Sequence, residues 1–199
     1  LQAPGRRIAD HAKPNIAGAI DDEMRRHPGH APVHRVAAVG IDQLRQIEAE
    51  NRPASAEERQ VLLRYTGWGG LPASFNLETE DRAWSERARR LQAMLGAEDY
   101  ESARASVNNS HYTEIPVIEA IWQAVERFGF TGGRILEPAA GIGHFIGAMP
   151  RNLAEHCSIT TVEIDRVSGR ILKALYAPGG VDVRISPFEK TPLPDHWFD

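Results

Sequence analysis

The sequence contains a single cysteine, Cys157, among its 199 residues, so no disulfide can form within the chain. A lone thiol in an apolar stretch is expected to be buried and structural, and it fits a reducing, cytoplasmic setting. Long apolar runs are also missing. None approaches the roughly 18–20 residues that span a bilayer, and the N-terminus lacks the charged, apolar, small-residue order of a signal peptide. No excess of positive charge exists either, the formal net charge being −4. Proteins that grip a phosphate backbone carry a basic face, so any contact with nucleic acid is expected to be local or to lie elsewhere in a parent protein. Repeats and low-complexity tracts are absent. What remains is the balance of a soluble globular chain, with 42% hydrophobic and 25% charged residues. It opens on Leu1 rather than Met, as a trimmed chain does.

Three segments follow one another. Residues 1–40, rich in Pro, Gly, Ala and His, read as an extended arm with one short helix over Ile16–Arg26. His27, His30 and His34 lie among Pro28, Gly29 and Pro32 with no frame to gather three rings, so no metal site is expected. Residues 41–110 read as helical. Ile41, Leu44 and Ile47 share a face, and Ser55 with Glu58 has capping-box spacing ahead of Val61, Leu62 and Tyr65. The run Thr66-Gly67-Trp68-Gly69-Gly70-Leu71-Pro72 must be a loop, with the tryptophan as its anchor. Trp84, Ala88, Leu91 and Leu95 form another stripe, opposite Arg82, Arg87, Arg89 and Arg90, which read as a solvated polar face. A short helix over Asp99–Ala105 closes the segment.

From residue 111 the texture becomes strand–helix–strand–helix–strand. Ile115, Ile118, Ile121, Trp122, Val125 and Phe128 predict one helix face, followed by strands at Arg134–Glu137, Ser158–Ile164 and Val181–Ile185. Helices are expected near His144–Met149 and over Val167, Ile171, Leu172 and Leu175. Short links and this alternation predict a parallel, doubly wound α/β sheet.

Three features fall at the C-terminal ends of these strands, where such folds bind nucleosides. Glu137-Pro138-Ala139-Ala140-Gly141-Ile142-Gly143-His144-Phe145 follows the first strand, and its glycines let backbone approach a ligand. Val162-Glu163-Ile164-Asp165 closes the second, offering a carboxylate to two ribose hydroxyls. Phe188 follows the third, an apolar face for adenine. The spacing Gly141-x-Gly143-x-x-x-Gly147 is one residue longer than the dinucleotide fingerprint. Glu137 would repel a pyrophosphate and attract a sulfonium or ammonium, which favours S-adenosylmethionine over NAD. Each residue also has a plain structural role open to it: Glu137 and Glu163 as strand-end carboxylates, Phe188 as core, His111 and Tyr112 as helix-entry packing, His144 as a loop residue.

The stretch from Glu137 to Phe145 resembles motif I of amino-methyltransferases that act on adenine in DNA at N6. Val162–Asp165 resembles their second motif, and His111-Tyr112-Thr113 the motif before the first strand. With Tyr65–Leu71, the order over ~41–199 is similar to large bacterial, plasmid and phage proteins that join an adenine-type DNA methylase to a superfamily 2 helicase. The resemblance implies a Rossmann-like, S-adenosylmethionine-dependent methyltransferase fold, a partial parallel sheet at 111–199 preceded by helices. It implies that Glu163 binds ribose, that Ile164 and Phe188 sandwich adenine, and that Glu137 with Ala139, Gly141, Gly143 and Phe145 holds the methionyl part, with Thr113 on its carboxylate. These enzymes often carry Asp where this chain has Pro187, a place Glu189 could fill.

An Asn/Asp-Pro-Pro-aromatic tetrad, which accepts the target amino group and stacks on a flipped base, occurs nowhere in the chain. Residues 1–199 alone are therefore expected not to methylate DNA, DNA being a partner of the parent protein. The sequence stops at Pro194–Asp199, on the approach to a fourth strand, so an open edge is expected and with it a homodimer through that edge. Two other readings stand beside the enzyme: a non-catalytic docking module of a helicase-associated protein, and a methyltransferase for proteins or small molecules.

Overall fold

A computed structural model describes residues 30–69, 75–108 and 110–199. The predicted helix over 16–26, His27, and Gly70-Leu71-Pro72 lie outside them. Among the described residues five α-helices precede the sheet: α1 (His30–Ala49), α2 (Ala56–Leu62), α3 (Arg82–Leu95), α4 (Ala97–Ser106) and α5 (Ile115–Arg127). The α/β part then runs β1 (Gly133–Glu137), α6 (His144–Gly147), α7 (Arg151–Ala154), β2 (Cys157–Glu163), α8 (Arg166–Tyr176) and β3 (Asp182–Ile185). No helix among the described residues is long and apolar enough to cross a membrane.

Helix α1 reaches back to His30, well before the periodicity becomes legible at Ile41. Pro32 sits in its first turn, where a missing N–H breaks no intrahelical bond. The proline-rich stretch thus begins a helix and does not extend an arm to residue 40. From Ile41 onward the helix behaves as its stripe predicts, with Ile41, Leu44 and Ile47 all buried. The capping box of α2 is complete: the Ser55 hydroxyl accepts the Glu58 N–H at 3.2 Å and the Glu58 carboxylate accepts the Ser55 N–H at 2.8 Å.

The three strands are parallel in the order β1-β2-β3, with Gly133 opposite Cys157 and Glu163 opposite Ile185. This is an α/β fold with a small parallel sheet. Helix α8 covers it with Val167, Ile171, Leu172 and Leu175, each at most 1% exposed. Cys157 is only half-buried, because it sits at the first residue of β2, at the rim of the sheet and not at its centre. Helix α5 departs from its predicted face. Ile115, Ile118 and Trp122 are buried, but Phe128 is 89% and Ile121 41% exposed. The stripe is wider than the surface that covers it, and Ile121 and Val125 border a shallow apolar groove with Ile135, Phe145 and Met149. Beside β1, Asp199 donates its N–H to the Arg134 carbonyl at 3.0 Å.

The helices and the sheet share one core. Leu62, Tyr65, Trp68 and Leu95 belong to the same continuous cluster as Ile142, Ile171 and Leu175. Polar contacts reinforce the joint. Asp99 of α4, its side chain 12% exposed, pairs with Arg166 at 3.2 Å and with Arg170, both on α8, and Arg170 also reaches Glu48 of α1 at 2.6 Å. Removing Asp99 takes away the partner that Arg166 and Arg170 share, leaving Arg170 with Glu48 alone and the half-exposed Arg166 with Glu98 alone. Asp99→Ala should therefore cost about 1–3 kcal/mol in urea unfolding, whereas Glu101→Ala, which breaks an exposed pair with Arg104 within α4, should cost well under about 1 kcal/mol.

Candidate functional site

The ends of β1 and β2 and the start of α5 surround a cavity of about 530 Å³. It is lined by Tyr112, Thr113, Glu137, Ala139, Gly141, His144, Phe145, Glu163, Ile164 and Phe188, and by Ser186 and Glu189 after β3. Eight of the nine positions singled out in the sequence thus face one space. Gly143 does not. Its backbone is left-handed at φ 92°, and a Cβ there would lie 2.6 Å from the Tyr176 ring and 2.7 Å from a Leu172 methyl. Gly143 serves the contact between the loop and α8, not the cavity.

Glu163 joins two backbone segments of the site. One carboxylate oxygen accepts the Gly141 N–H at 2.6 Å and the other accepts the Asp165 N–H at 2.7 Å. The residue is 8% exposed. Burial raises its pKa, and the backbone N–H groups of Asp165 and Gly141 oppose that shift. The carboxylate that sequence reasoning reserves for ribose thus first ties the glycine loop to the end of β2. The Ile164 N–H also opposes the rise in pKa, and the carboxylate's four lone-pair sites leave room for a further donor.

Glu137 contrasts with it. Its half-buried carboxylate makes no hydrogen bond or ion pair among the described residues, and burial alone raises its pKa. Across the cavity Ile164 is 61% and Phe188 47% exposed, an open apolar pair at the carboxyl ends of β2 and β3. Phe188 is therefore not core. Glu189 lies on the lining in the turn after Pro187, which makes a carboxylate available where the resemblance lacks one.

Two groups escaped the sequence reading. Asp165 caps α8 through the Ser168 N–H at 3.0 Å and also accepts the hydroxyls of Ser168 and Ser102, at 2.6 and 3.2 Å. The Asp-x-x-Ser spacing at a helix start was a legible signal for the first bond; Ser102, far away in sequence, gave none. His144 is 93% buried, its ring 5.0 Å from that of Tyr112, and its Nδ1 has no hydrogen-bond partner. Burial drives its pKa down to about 4, so the ring is neutral at physiological pH.

No family model matches the chain, and no solved structure matches it. A curated relative does: Defense against restriction protein B of Escherichia phage P1, 27% identical over 202 residues that cover 98% of this chain. The chain spans only about 7% of that relative's length. The match corrects the expectation drawn from the motifs. Similarity runs along nearly the whole chain to a protein named for defence against restriction, not to a methyltransferase. The assignment to adenine-specific methylase–helicase proteins, with methyl transfer to DNA as the function, is therefore set aside. The helicase docking module and the methyltransferase for other substrates fit this relative no better. The physical reason is plain: a glycine loop and a strand-end carboxylate build a pocket, and a pocket geometry does not carry the identity of a reaction.

The buried imidazole gives the site a pH signature. The unfolded chain protonates His144 near 6.5 and the folded chain only near 4. Folded stability is therefore lost as pH falls through that window and levels off below it. Denaturant midpoints for the protein and for His144→Gln should diverge between pH 7 and 4, the variant lacking a loss of about 2–3 kcal/mol. Parallel curves would place this ring in solvent.

Proposed function

We propose that this chain is a nucleoside-binding element of a protein acting against restriction, and that its ligand joins an adenosyl group to a positive charge, S-adenosylmethionine being the candidate. The observation that carries the reading is Glu137, a half-buried carboxylate on the wall of the cavity with no partner among the described residues. A buried, unpaired carboxylate is costly. A cation brought in by the ligand offsets that cost, and a pyrophosphate would add to it. The rest of the lining suits the nucleoside: Glu163 retains acceptor capacity for hydroxyls, and Ile164 with Phe188 offers apolar faces to a purine. The cavity falls within the range of about 300–1,000 Å³ usual for small-ligand sites.

The defence role enters from the phage relative, about 7% of whose length is similar to almost all of this chain. The reading assigns binding and no catalytic step.

Isothermal titration with S-adenosylmethionine, and with NAD as control, tests it. The protein should bind the first and not the second. Glu137→Gln, which keeps shape and removes charge, should weaken binding by about 1–2 kcal/mol. Equal affinity of variant and parent would remove the charge argument, and binding of NAD alone would reverse the choice of ligand.

A further inference from the structure

The loop Thr66–Gly69 belongs to the helical layer, yet its glycines face Ser110 and Tyr112, which line the cavity. Trp68 is fully buried, edge-on to Tyr65 at 5.9 Å and to Phe75 at 5.4 Å, so the loop is anchored from below. The two glycines flanking it face the segment that leads into α5. A Cβ on Gly69 would lie 1.6 Å from the Ser110 carbonyl oxygen, and one on Gly67, where φ is 66°, would lie 2.8 Å from the Tyr112 hydroxyl. The other edge of the same Tyr112 ring sits against the glycine loop, 3.2 Å from where a Cβ of Gly141 would be, and beside His144. Tyr112 is thus wedged between two glycine turns, one in each part of the fold. Burial raises its pKa and keeps the phenol neutral.

We propose that the Thr66–Gly69 loop, acting through Tyr112, is the positioning support of the Gly141 turn, so that packing of the helical layer and occupancy of the nucleoside cavity are coupled. Tyr112 bears on the residue whose N–H is held by Glu163 at 2.6 Å. Pressure from Gly67 on the ring is therefore transmitted to the hydrogen bond that shapes the cavity floor. Ligand seated against Gly141 in turn fixes Tyr112 and, through it, the Trp68 anchor. The inference rests on the proposed nucleoside reading only for the identity of the ligand.

Residue-resolved amide hydrogen exchange on the whole chain tests the coupling without ligand, with the Val162 amide in the central strand as a gauge of global opening. Gly67→Ala should speed exchange at Gly141 by about tenfold while Val162 keeps its rate. Tyr112→Ala, which removes bulk and creates no clash, should do the same, and adding Gly67→Ala to it should change Gly141 little further. Unchanged exchange at Gly141 in Tyr112→Ala, or equal acceleration at Gly141 and Val162 in both variants, overturns the proposal. Addition of S-adenosylmethionine to the parent protein separates the two readings. Acceleration in the variants without protection of Gly141 by ligand leaves the coupling standing and removes the nucleoside. Protection by ligand with no acceleration in the variants does the reverse.

Discussion

Two backbone N–H groups converge on one carboxylate at the end of β2, and the cavity depends on that convergence. Glu163 draws the turn at Gly141 and the start of α8 at Asp165 onto the same pair of oxygens. Apart from it, the backbone hydrogen bonds that hold the loop after β1 are its own turn bond, from the Gly143 N–H to the Ala140 carbonyl, and the Ala140 N–H donation to Val162, among the described residues. A charged acceptor is worth more than a neutral one for this purpose, because its bonds are shorter and stronger in a partly dry setting. The cost is desolvation, visible in the raised pKa of the group itself.

The helical layer completes what the carboxylate begins. All five helices described before the sheet, and the turn at Trp68, bury apolar side chains in one cluster with α8. Arg59 of α2 donates to the Leu175 carbonyl near the end of α8, and Arg170 bridges α1 and α4 on the other flank. Helix α8 is consequently fixed from both sides, and its first turn, carrying Asp165 and Ser168, is presented to the cavity in one orientation. A three-stranded sheet alone has little apolar area to bury; here the helices supply the second layer that it needs.

Much of this was legible in the residues, for a physical reason. Period-2 and period-3.6 patterns are local, so the strands, the stripe of α8 and the capping box of α2 were found within a residue or two. The glycine loop and Glu163 were found because strand ends in a parallel sheet all point to one side. What failed was of another kind. The start of α1 was hidden because proline reads as a breaker unless its place in the first turn is known. Ile121 and Phe128 look like core, and only the breadth of the covering surface decides that they are not. The roles of Gly67, Gly69 and Ser102 depend on contacts with residues far along the chain, and no window of sequence contains both partners. The reaction was misjudged because motifs describe the shape of a pocket, and one shape serves many functions.

The order of the strands in the sheet is the order in which they occur along the chain. Each strand is laid against the one completed just before it, and β2 does not have to be inserted between two neighbours already in place. Strands in this order can be added one after another at an edge, each to a neighbour already made. Such growth keeps the contacts of the nascent chain short in sequence and spares it the slow search that strand insertion demands.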